Sequence, residues 1–188
     1  MIILAPRQLI SFALSLLVLL SGFSVSAQSK GKGTRKPRVA SAHSVAVKEI
    51  DFEGLKAALK PDAARPLLVN FWATWCDPCR EEFPDLVKID ADFRGKGLDF
   101  ITVSLDDMSE IKTEVPKFLR GMQAKMPAYL LNVPDPEPAI KFVDPQWGGA
   151  LPATVLYNAK GEIVFKHFGR VNADDLRAAI LKEVGTQK

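Results

Sequence analysis

The chain has 188 residues, 47% of them hydrophobic and 25% charged, which suits a packed core and excludes a globally disordered chain. The formal net charge is +3, and Arg7 is the only charged residue before Gln28, so the remainder carries 3 − 1 = +2. With so little charge and no basic face interleaved with aromatics, nucleic acid is not an expected partner.

Residues 1–27 read as an export signal. Arg7 supplies the positive start, Leu9 to Leu20 the apolar run, and Val25-Ser26-Ala27 a small-residue cleavage site. The run is shorter than the roughly 20 residues of a membrane span, so cleavage is favoured. Extended to Val25, it can instead serve as an uncleaved anchor. Being apolar on every side, it does not suit an amphipathic helix of the domain. Residues 28–44 are polar and basic, with Lys30, Lys32, Arg35, Lys36 and Arg38, and read as a flexible linker. Residues 45–188 form the globular part.

Within that part, Asp51 can cap a short helix carrying Leu55, Ala58 and Leu59. Leu67 to Trp72 is a continuous apolar run and predicts a buried strand. A helix follows, ending near Arg94-Gly95-Lys96-Gly97, and then a second buried strand over Leu98 to Leu105. Ser109 is expected to start another helix, interrupted by Pro116. Tyr129 to Val133 predicts a strand, followed by a Pro-rich stretch with a helical turn. Pro152 to Tyr157 and Glu162 to Phe168 predict a hairpin turning through Asn158-Ala159-Lys160-Gly161. Asn172, with Asp175 three residues on, caps a last helix whose inner face is Leu176, Ala179 and Ile180. Strand-helix units followed by a hairpin and a helix predict an α/β fold, its central mixed sheet parallel in one half and antiparallel in the other.

The chain has two cysteines, Cys76 and Cys79. In an exported protein an intramolecular disulfide must join this local pair, and so small a loop stabilises little, so its value is chemical. The pair follows a buried strand and opens a helix. The helix N-terminus lowers the pKa of a thiol placed at its edge, making Cys76 the attacking thiol and Cys79, a turn inward, the resolving one. Pro78 suits the first helical turn.

The segment from Val69 to Pro84, VNFWATWCDPCREEFP, resembles the active-site segment of exported thioredoxin-like proteins of the TlpA/ResA-like branch. Gly149 to Thr154, GALPAT, resembles the same family's G-x-P-x-T segment. The resemblance implies a thioredoxin fold and thiol–disulfide oxidoreductase activity. It implies that Pro152 is a cis-proline against the disulfide, and that the backbone of Leu151 pairs with an extended substrate. Glu82 matches a carboxylate held near the thiols, able to take a proton from the resolving cysteine; a solvated surface position is the competing expectation. Thioredoxin usually carries Asp six residues before the first cysteine, where this chain has Asn70, so a proton acceptor must be Glu82 or water. Asp77 opposes the helix dipole beside Cys76 and favours a reducing couple. Trp75 is expected to shield the disulfide. Trp72 and Trp147 are each balanced between core and function, Trp147 as a lining of the groove beside Pro152.

Rival chemistries weaken on composition. Zinc needs about four ligands, and two cysteines with His43 in the linker and His167 on a strand do not supply a plausible set. A peroxidase of this fold needs Thr or Ser three residues before its cysteine and Pro seven before. Those positions hold Ala73 and Val69 before Cys76, and Cys76 and Trp72 before Cys79. A disulfide-donating oxidase and a non-enzymatic copper carrier stay open, although Met108, Met122 and Met126 are scattered. The expected protein is an exported monomeric reductase with no cofactor and no metal. Its partners would be exported proteins bearing thiols or disulfides, and a membrane electron donor.

Overall fold

The computed structural model describes residues 46–61 and 65–185. The expected signal, the linker and His43 lie outside the described residues.

Six strands form one sheet in the order β1-β4-β3-β2-β5-β6. They are β1 (Val47–Ile50), β2 (Leu67–Trp72), β3 (Asp99–Ser104), β4 (Ala128–Leu131), β5 (Ala153–Tyr157) and β6 (Ile163–Phe168). The first four pair in parallel, while β5 runs antiparallel to both β2 and β6. The expected mixed sheet is therefore present. The short edge strand β1 has no counterpart in the sequence reading. Its Lys48 and Glu49 are exposed, so no alternation marks it.

Five helices flank the sheet: α1 (Phe52–Ala58), α2 (Asp77–Phe93), α3 (Glu114–Gly121), α4 (Glu137–Val143) and α5 (Ala173–Gly185). Asp51 caps α1 by accepting from the Gly54 N–H at 2.7 Å. Asn172 caps α5, accepting from the amides of Asp174 and Asp175 at 2.9 and 3.2 Å. The helix expected from Ser109 is instead a 3-10 turn over Met108–Glu110, and α3 begins only at Glu114. Pro116 falls in the first turn of α3. There its missing N–H is not needed, so it does not interrupt the helix. In the hairpin, Gly161 adopts φ 82°, a left-handed conformation that glycine allows without a Cβ clash.

Alternation along β2 divides the core. Leu68 and Trp72 face α2, α3 and α5, where Phe83, Leu119 and Leu176 meet them. Leu67, Val69 and Phe71 face α1 and α4, against Leu55 and Ile140. Trp72 is fully buried, its ring 5.0 Å from Phe83 and 4.8 Å from Phe118, so it is core. Truncating Phe83 to Ala would cost about 3–5 kcal/mol.

Candidate active site

The chain leaves β2 at Trp72, turns through residues 73–75 and enters α2 at Asp77. Cys76 occupies the N-cap. Its backbone is extended, and its sulfur accepts from the Cys79 N–H at 3.2 Å. Pro78 stands in the first turn, where no N–H is needed. Cys76 and Cys79 are joined as a disulfide. Cys79 is wholly buried while Cys76 keeps 5% exposure, so the first sulfur is at the surface edge and nearest the free amides of the helix.

Glu82 follows Cys79 by three residues and shares its face of α2. It is 2% exposed, which overturns the expectation of a solvated surface carboxylate. The reason is the helical period, which turns Glu82 toward the sheet together with Cys79 and Phe83. Oε1 accepts from Asn70 Nδ2 at 2.9 Å and Oε2 from the Val171 N–H at 2.9 Å. Burial pushes the carboxyl up to about 7, against the lowering effect of those two bonds and of nearby Arg170.

The Leu151–Pro152 peptide is cis. Because Ala153 pairs with Phe71, the antiparallel register puts Pro152 level with Trp72, at the end of β2 that leads into the cysteines. The Pro152 carbonyl accepts from the Gly169 N–H at 2.7 Å. Leu151 is half-buried, and its own N–H and C=O have no partner among the described residues.

The family model described as "AhpC/TSA family" matches residues 41–166, more than half of the chain. The chain belongs to that family. It is similar to the thiol-disulfide oxidoreductase ResA of a Bacillus cereus strain, 27% identical over 132 residues, which are 70% of this chain and 71% of that protein. ResA of Bacillus subtilis is 28% identical over 114 residues, 61% of this chain and 59% of the relative. Among solved structures, a thiol:disulfide interchange protein from Bacteroides sp. matches with TM-score 0.55 and 28% identity, covering 67% of this chain and 77% of that one. StoA from Bacillus subtilis shares the fold, with TM-score 0.51, 23% identity, and 63% and 84% coverage. The resemblance to TlpA/ResA-like thiol–disulfide oxidoreductases and the thioredoxin fold are borne out by these likenesses.

In this AhpC/TSA-family chain the loop before Pro152 is fastened from below. Trp147 is 1% exposed, its ring packed against Phe71 and Phe168, and its Nε1–H donates to the Ala150 carbonyl at 2.8 Å. It is core that also shapes the loop. Lys141 Nζ donates to the Trp147 carbonyl at 2.9 Å, and Lys166 Nζ donates to buried Asp144 at 2.6 Å. Gly149 has φ 82°, and a Cβ there would lie 3.1 Å from Ile140 Cδ1. Trp75 is 67% exposed and stands at the surface immediately before Cys76. His167 is exposed on β6, as expected.

Sequence reasoning missed Asp106. Buried just beyond β3, it accepts from the Thr74 N–H at 3.0 Å, from Thr74 Oγ1 at 2.6 Å and from Ser104 Oγ at 2.6 Å. The available signal was Ser104-Leu105-Asp106, two polar residues closing an apolar strand at its C-terminal end. In open α/β sheets that end is where sites are built.

Proposed function

We propose that this chain is an exported thiol–disulfide oxidoreductase that reduces protein disulfides with the Cys76–Cys79 dithiol. The observation that carries the proposal is a cysteine pair at a helix N-terminus whose second member shares a helix face with a buried carboxylate. In the reduced protein, Cys76 thiolate attacks one sulfur of a substrate disulfide. A Cys76–substrate disulfide forms and one substrate thiolate leaves. Cys79, its proton taken by Glu82, then attacks the Cys76 sulfur and releases the second substrate thiolate. Two electrons have passed to the substrate, and the pair is left as a disulfide.

The assignment of Cys76 as attacker is supported by its N-cap position and its residual exposure. A carboxyl poised at about 7 suits a proton acceptor at neutral pH, which supports Glu82 in that part. The unpaired backbone of Leu151, next to Pro152, suits an extended peptide added as a strand. Residues 1–27 support export of a domain spanning 45–188, with 28–44 as its tether. Outside the cytoplasm the disulfide needs a dithiol donor, and a membrane protein that carries electrons across the bilayer is the fitting class.

The test is the reduction potential of the pair, by equilibration against defined thiol buffers. A value near about −270 mV, that of thioredoxin, is expected for a reductase; about −120 mV, that of DsbA, would make the protein a disulfide donor. Cys79→Ala should accumulate mixed disulfides through Cys76. A variant that forms none with protein substrates sinks the assigned chemistry.

A further inference from the structure

Asp106 has no part in the electron transfer just described, yet it grips the turn that presents Cys76. It accepts both donors of Thr74, two residues before Cys76, and the hydroxyl of Ser104. Its own N–H is returned to Ser104 Oγ at 3.0 Å. The grip is rigid, because Leu105 N–H still pairs with the Trp72 carbonyl at 2.8 Å and ties the end of β3 to the end of β2. From the far side of the turn, Arg80 donates to the Thr74 carbonyl at 3.1 Å. Thr74 is thus held at its amide, its hydroxyl and its carbonyl.

Glu110 completes the arrangement. It lies against Asp106, with Oε2 shielded from solvent. Burial, with the adjoining carboxylates of Asp106, Asp107 and Glu114, pushes its carboxyl upward.

We propose that Asp106 is a positioning residue of the thiol–disulfide reaction: it fixes the Thr74 turn that sets Cys76 at the helix N-terminus, and its buried charge opposes over-stabilisation of the Cys76 thiolate. The proposal rests on Cys76 being the attacking thiol. A charge taken out of solvent is weakly screened and acts further than an exposed one. Asp106 therefore acts in the same direction as exposed Asp77 and against the amides of α2, while Arg80 acts with those amides. The other carboxyls on the elements around them are Glu81 and buried Glu82 early in α2, and Glu110 against Asp106 with Asp107 and Glu114 close to it.

The experiment is the pH profile of iodoacetamide alkylation of the reduced full-length protein, with the labelled cysteine mapped by mass spectrometry. Rates of protein-disulfide reduction are measured alongside. Asp106→Asn keeps the shape and removes the charge, and should lower the Cys76 thiol pKa by about 0.5–1 unit. Thr74→Val keeps the charge and removes the hydroxyl bond. It should leave the thiol pKa in place and slow disulfide reduction about tenfold, since sub-ångström misplacement of the attacking group is costly. Label on Cys76, with profile and rate unchanged in both variants, overturns the role of Asp106 alone, even where their stability falls. Thr74→Val decides the positioning part if Asp106→Asn does not fold. Label on Cys79 in the parent protein overturns the choice of Cys76 as attacker, and the role of Asp106 with it.

Discussion

Asn70 and Glu82 meet through one hydrogen bond: Nδ2 of Asn70 donates to Glu82 Oε1 at 2.9 Å, and lies 3.1 Å from Thr154 Oγ1. That single amide ties β2 to β5 and to α2 beneath the cysteine pair. Asn70 is fully buried, on the same face of β2 as Leu68 and Trp72, so its direction toward α2 follows from strand alternation. With an amide here, Glu82 has no second carboxylate in contact. Its upward shift is set by burial rather than by a like charge.

Asn70→Asp should change that. Two touching carboxyls cannot both ionise freely, so the pair would titrate in two coupled steps. The upper step is expected to rise by about one unit above that of the parent, making disulfide reduction at neutral pH roughly fivefold slower. The pH–rate profile checks it. A profile identical to the parent's would show that Glu82 does not limit the reaction.

Glu82 also gives stability a pH signature. Its carboxyl titrates at the ordinary 4.5 when unfolded and at about 7 when folded. Between those values the native state holds the proton more tightly, so stability falls as pH rises through the window and levels off above it. The loss is expected to be about 2–3 kcal/mol. Glu82→Gln cannot titrate. The difference between the parent and variant urea-denaturation curves should therefore change by that amount between pH 4.5 and 7; a flat difference contradicts the shift.

Asp77→Asn removes an exposed negative charge from the first residue of α2, beside Cys76. The Cys76 thiol pKa should drop by a few tenths of a unit and the potential become less negative, by well under the roughly 30 mV of a tenfold change. Because Asp77 is in solvent, the effect should shrink with added salt. Redox equilibration at low and high ionic strength checks both statements. A more negative potential would mean that Asp77 does not favour the reducing couple.

Trp147→Phe keeps an aromatic ring against Phe71 and Phe168 but removes the donor to the Ala150 carbonyl. A stability loss of about 0.5–1.5 kcal/mol is expected from the lost hydrogen bond. The loosened loop should raise KM for a protein disulfide more than for a small-molecule disulfide, which does not need strand addition at Leu151. Equal changes for both substrates would remove the loop from substrate binding.

Much of the fold was legible in local pattern. The apolar run of β2, the Asn158 to Gly161 turn and the caps Asp51 and Asn172 each carry their cause within a few residues, and each is where the chain order put it. The start of α3 was misread because a proline can either break a helix or open one. Which occurs depends on the turn before it. Strand β1 was invisible because four residues with exposed Lys48 and Glu49 between half-buried Val47 and buried Ile50 are too few to show alternation.

The residue order alone determined that two cysteines three apart open a helix after a buried strand, and with them the class of chemistry, because helix-end electrostatics act over a single turn. The tertiary structure decided which polar groups serve that turn. Glu82 became a buried carboxyl only when Asn70 from β2 and Val171 from the loop before α5 closed over it. Asp106 reached Thr74 only because parallel pairing of β2 with β3 brought together residues 32 apart in the chain. Periodicity tells a side chain which face it is on. The neighbour across that face is set by sheet order and register, which no short stretch of sequence contains.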